Sequence, residues 1–145
     1  MLTLLNKKEI YQIPGKMVGH YHPDIHTIVD TWTSSLFVSL DDWKATVFDI
    51  GITDFAPKNG VKNWIIDTSQ ARSVFPPAIQ EFRESTAKAE LEKNGVKRLF
   101  VVLPSKGIGK FSAAKTAELY DGDRGLHGYD VETIEQAFDI IRKDL

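Results

Sequence analysis

The chain has 145 residues, 42% of them hydrophobic and 26% charged, with a formal net charge of −2. That is the length and composition of one ordinary globular domain, and the balance lacks the marked basicity of nucleic-acid binders. No cysteine is present, which removes disulfides, thiolate nucleophiles and cysteine-ligated zinc or iron–sulfur sites together.

The N-terminus, MLTLLNKKEIYQ, has a short apolar start with its lysines after it. A secretory signal has the reverse order and a longer apolar core. No apolar run approaches the ~20 residues of a membrane-spanning helix. The expectation is a single domain over residues 1–145, soluble and cytoplasmic, with no transmembrane segment and no nucleic-acid partner. Residues 1–17 read as an N-terminal arm or an edge strand, closed by the Pro14-Gly15 turn signal. Met17 to Tyr21 then reads as a strand, His22-Pro23-Asp24 as a turn, and the β-branched run Ile25 to Trp32 as its hairpin partner.

Ser39 suits an N-cap, with Asp41 and Asp42 favouring the dipole of the first turn. Leu40, Trp43, Val47, Ile50 and Phe55 follow at helical spacing, until Ala56-Pro57 and Asn59-Gly60 end the pattern. The apolar run Trp64-Ile65-Ile66 then passes into Asp67-Thr68-Ser69, a strand running into a polar loop. Pro76-Pro77 opens a second helix with a stripe of Ile79, Phe82, Thr86, Ala89 and Leu91, and Asn94-Gly95 stops it. Leu99 to Leu103 reads as a strand buried on both faces. A Gly-rich loop, Ser105 to Lys110, leads to a short helix from Ser112 to Tyr120 and a loop at Asp121 to Gly125. Leu126 to Tyr129 reads as a last strand. Asp130 caps the final helix, lined by Ile134, Ala137, Phe138, Ile141 and Leu145. Alternating strands and helices predict an α/β fold, an N-terminal β-hairpin followed by a mainly parallel sheet with right-handed crossovers.

Four features in a row carry a family resemblance: the strand ending in Trp32, the strand Trp64-Ile65-Ile66-Asp67, the run VVLPSKGIGKFSAAKTAELY, and the helix VETIEQAFDII. From Tyr21 onward the chain resembles the STAS superfamily, and is most similar to uncharacterised bacterial proteins with a SpoIIAA-like fold. The resemblance implies a (βα)n superhelix with helices packed largely on one face of the sheet. The bare face would be covered by the N-terminal residues or by a second subunit, so a homodimer is expected. In the family's anti-sigma-factor antagonists a partner kinase phosphorylates a serine in Asp-Ser-Ser-Gly. Here Asp67 and Ser69 match the Asp and the second Ser, Gln70 replaces the Gly, and the next helix is delayed by residues 71–77.

Three constellations are candidate sites. Asp67, Thr68, Ser69 and Arg72 stand at the C-terminal edge of a strand, where open α/β sheets bind ligands. They would hold a phosphate or polar ligand, or take phosphate on Ser69 near a helix start; alternatively Asp67 and Ser69 only tie a tight loop. Lys106, Gly107, Gly109, Lys110 and Ser112 form a basic Gly-rich loop between strand and helix. Phe111 stands where a phosphate loop has Ser or Thr, so the choice is between an anion site of backbone amides and a turn capped by Ser112. His20, His22 and His26, with Asp24 between them, are candidate ligands for Zn, Ni or Cu or else hairpin-end histidines; no distant fourth ligand is evident, although His127 is available.

Two functions follow. The first is a non-enzymatic STAS-like regulatory or small-ligand-binding module, switched by phosphorylation at the strand-end Asp-Thr-Ser, with a regulatory protein or small ligand as partner and no cofactor. The second is an enzyme acting on a phosphorylated or acidic small molecule through the Gly-rich basic loop and the strand-end hydroxyls.

Overall fold

A computed structural model of the chain describes residues 6–104 and 125–145. Three strands, β1 (Lys8–Ile13), β2 (Met17–His22) and β3 (Thr27–Trp32), form an antiparallel meander. Gly15 takes a left-handed φ of 75° in the first turn, as Pro14-Gly15 predicts. The second turn is a single tight helical turn, Pro23–Ile25, closed by His26 at φ 52°. Within the expected arm or edge strand, Lys8–Ile13 form the edge strand of the sheet, and residues 1–5 lie outside the described residues. β4 (Asn63–Asp67), β5 (Arg98–Val102) and β6 (His127–Val131) then add in parallel. The six strands lie side by side in chain order, an α/β fold with a mixed sheet.

The first helix, α1, spans residues 40–59 as three continuous parts, Leu40–Trp43, Lys44–Phe55 and Ala56–Asn59. Ser39 is its N-cap, accepting from the Asp42 amide at 3.1 Å. The middle part is a wide helix in which amides reach five residues back, as the Ala56 N–H does to the Gly51 carbonyl. This corrects the stripe expected from regular helical spacing. Wider turns slip the buried face, so Phe48, Gly51 and Ile52 point inward while Ile50 is 45% exposed.

The helix expected after Pro76 is two helices, α2 (Pro77–Ser85) and α3 (Ala87–Lys93), broken at Thr86. Ile79, Arg83, Ala87 and Leu91 are buried, while Thr86 and Ala89, expected in the stripe, are exposed. The last helix, α4 (Ile134–Arg142), begins at Thr133 and not at Asp130, which belongs to β6. The Thr133 hydroxyl accepts from the Gln136 amide and the Gln136 side chain accepts from the Thr133 amide. That reciprocal pair satisfies two amides at once, which a lone Asp does not. Leu145, expected on the packed face, is exposed. The expected helix Ser112 to Tyr120 and the loop Asp121 to Arg124 lie outside the described residues.

The sheet is covered on both faces. On one, α1, α2 and α3 pack a core containing Trp43, Phe48 and Trp64, with Phe82 against it. On the other, α4 covers Ile65, Phe100 and Val102 with Ala137 and Ile141. The resemblance implies helices largely on one face; α4, which follows β6, is the described helix that packs on the other. No helix among the described residues is long and apolar enough to cross a membrane.

Candidate functional site

Asp67 ends β4 in register with Thr31 of β3 and Val102 of β5. Its Oδ1 accepts from the Ser69 amide at 3.0 Å, a local Asx turn. Thr68 is buried, and both its amide (3.1 Å) and its hydroxyl (2.7 Å) donate to the Val102 carbonyl. The Ala71 amide closes the turn on the Thr68 carbonyl at 3.0 Å. The loop is laced to the one after β3: the Arg72 amide donates to the Ser34 carbonyl at 2.8 Å, and the Leu36 amide to Ser73 Oγ at 2.9 Å. Trp32 and Phe75 meet edge to face, 5.1 Å between ring centroids.

Of the four residues singled out here, Asp67 and Thr68 are therefore engaged in holding the loop. Ser69 is half-buried and Arg72 exposed, and neither side chain takes part in these bonds. α2 starts only at Pro77, so Ser69 does not stand at a helix start as expected. Lys106, Gly107, Gly109, Lys110 and Ser112 lie outside the described residues.

The histidines separate. His20 and His22 alternate onto one face of β2, the face opposite α1. His26 closes the turn before β3, and its surroundings are Lys62, Asn63, Arg98 and the end of α4. His127 is exposed at the start of β6. Among the described residues no three His, Asp or Glu side chains come together as metal ligands would. His22 is 7% exposed and its Nδ1 has no hydrogen-bond partner. Burial, then the nearby His20 and Lys7, pushes its pKa down to about 4, so the ring is neutral at pH 7.

A further buried polar group was not foreseen. One lateral row of the sheet reads Tyr11, Gly19, Asp30, Ile66 across β1 to β4. A bulge between Glu9 and Tyr11 shifts the register so that Tyr11, and not Ile10, lies opposite Gly19. With no side chain at Gly19, the Tyr11 ring lies across it and reaches Asp30; a Cβ at Gly19 would sit 2.2 Å from Tyr11 Cε1. Gly51 of α1 closes over the ring, its would-be Cβ 2.8 Å from Cε2. The Tyr11 hydroxyl donates to Asp30 Oδ1 at 2.5 Å and Trp64 Nε1 to Oδ2 at 2.8 Å. Asp30 is 1% exposed. Burial raises its pKa to about 7 against the pull of the two donated bonds, while burial and the Asp30 charge push Tyr11 well above 10.

The sequence did hold a signal for this group. In Ile28-Val29-Asp30-Thr31-Trp32 the alternation puts Asp30 between two core positions, and a glycine in the preceding strand marks a close approach. Compared with protein-family models, with curated proteins and with solved structures, the chain matches none.

Proposed function

We propose that the chain is a non-enzymatic, cytoplasmic STAS-like regulatory module with a SpoIIAA-like fold, switched by phosphorylation of Ser69 and read by a regulatory protein. One observation carries this reading: at the strand-end turn, the Asp67 carboxylate grips the Ser69 amide while the Ser69 hydroxyl is not used to hold the loop. A phosphate there adds close to two negative charges. It repels the Asp67 carboxylate, loosens the Asx turn, and draws the exposed Arg72. The turn is laced to the loop after β3, so both loops respond together.

The enzymatic alternative needs Asp67 or a histidine as acid or base and the strand-end hydroxyls as ligands. Thr68 is buried and bonded to Val102, and His20, His22 and His26 lie on β2 and at its turn, which weighs against it.

Intact-mass and peptide mass spectrometry on the protein purified from its own cells tests the proposal. The expected result is one phosphate, mapped to Ser69 and absent from a Ser69→Ala strain. A chain that stays unmodified through all growth phases, or carries its phosphate elsewhere, overturns it.

A further inference from the structure

On the sheet face opposite α1, α4 packs mainly over β4 to β6, and Phe138 at its edge reaches His22 of β2. Along its edge runs a groove of about 530 Å³ between the sheet and the helix. That volume is in the range of small-molecule sites. The floor is Val18 and Val29, and the wall is Ile134 and Phe138. Thr31 and His20 add polar groups, Lys7 lines the groove as its one cation, and no carboxylate lines it among the described residues.

His22 also lines the groove, and its Nδ1, like Trp32 Nε1 on the other face of the sheet, is a buried nitrogen without a hydrogen-bond partner. A nitrogen left unpaired under the sheet surface costs stability, and a structure seldom keeps one without use. The imidazole stands beside Phe138, 6.2 Å between ring centroids. Nδ1 is bonded to nothing, so turning the ring breaks no hydrogen bond at that atom.

We propose that this groove is a binding site for a small amphipathic carboxylic acid, such as a medium-chain fatty acid. The chain of the acid lies on Val29 and Phe138, its carboxylate takes a hydrogen bond from His22 in the tautomer that donates, and Lys7 supplies the opposite charge. An alcohol of the same length lacks the charge, and an amine is repelled by Lys7.

The test is an NMR titration of the full chain with octanoate, reading the imidazole nitrogens of His22 and the ring protons of Phe138, with octanol and octylamine as controls. Saturable shifts at both residues with octanoate, and much weaker ones with the controls, are expected. His22→Phe keeps a ring in place and lowers affinity roughly 10-fold or more. Lys7→Gln, at an exposed position, leaves the fold intact and lowers affinity about 2- to 5-fold. Any of these results overturns the proposal: no saturable shift at His22 and Phe138, equal affinity for octanol, or a concentration-dependent shift of both residues without octanoate, which assigns the groove to a second copy of the chain. A His22→Phe protein whose amide spectrum is unchanged and which binds octanoate as before also overturns it.

Discussion

Asp30 and His22 are buried titratable groups on adjacent strands, facing opposite sides of one sheet. Asp30 lies under α1, and each of its oxygens receives a donor, from Tyr11 and from Trp64. His22 lies beside Phe138 of α4, and its Nδ1 receives nothing. The first is a closed polar unit that needs two glycines, a bulge and a wide helix around it. The second is open beside a groove. Burial alone therefore does not tell the two groups apart; whether the neighbours complete the hydrogen bonding does.

The largest expected effect is on the pH dependence of stability, where the two groups act in opposite senses. Asp30 keeps its proton in the folded chain up to about 7, whereas the unfolded chain releases it above its ordinary value of 3.8. The folded state binds more protons across that window, so this contribution is full below 3.8 and is lost as pH rises to 7, about 4 kcal/mol in all. His22 runs the other way. The unfolded chain protonates it below its ordinary 6.5 and the folded chain only below about 4. Its contribution is present above 6.5 and is lost as pH falls toward 4. Urea unfolding of Asp30→Asn should show stability rising from pH 4 to 6.5. That of His22→Phe should show it falling more steeply than the parent. Parallel pH profiles in the two variants would remove the distinction between the sites.

Next in size is the packing around Tyr11. Gly19→Ala puts a methyl where the ring lies and is expected to cost about 3 kcal/mol, from overpacking and the loss of the bond to Asp30. In a Tyr11→Ala background the same change should cost almost nothing, because Gly19 then has no ring to clear. A double-mutant cycle by thermal denaturation measures this, and an undiminished cost would detach Gly19 from the polar unit. The smallest effect is expected at His22. At pH 7, His22→Phe should change stability by less than about 1 kcal/mol, or raise it, since it removes an unpaired nitrogen. Asp30→Ala, by contrast, strands two donors and should cost several kcal/mol.

What could be read beforehand follows the same division. The strands were legible because Trp64 to Ile66 and Leu99 to Val102 are continuous apolar runs buried on both faces. Ser39 was legible because a cap is a local bond. Ile50 was misplaced because the widening of α1 belongs to its packing on the sheet, and sequence spacing assumes regular turns. Asp130 was taken for a cap because Thr133 and Gln136 satisfy each other only once the helix start is known. At the strand-end site, the loop-holding roles of Asp67 and Thr68 depend on a local turn and on β5. The first could be anticipated and the second could not. Asp30 was passed over because its partners lie 19 and 34 residues away in sequence.

The side-by-side order of the strands sets a sequence of assembly. β1, β2 and β3 can pair as soon as Trp32 is available, each with its neighbour in the chain. At that stage Asp30 has Tyr11 beside it but neither Trp64 nor the cover of α1, so the burial that raises its pKa is not yet in place. Docking of β4 and α1 completes the burial. Between pH 3.8 and about 7 that burial takes up a proton at Asp30, so the uptake goes with folding of the parallel half and not with the meander before it.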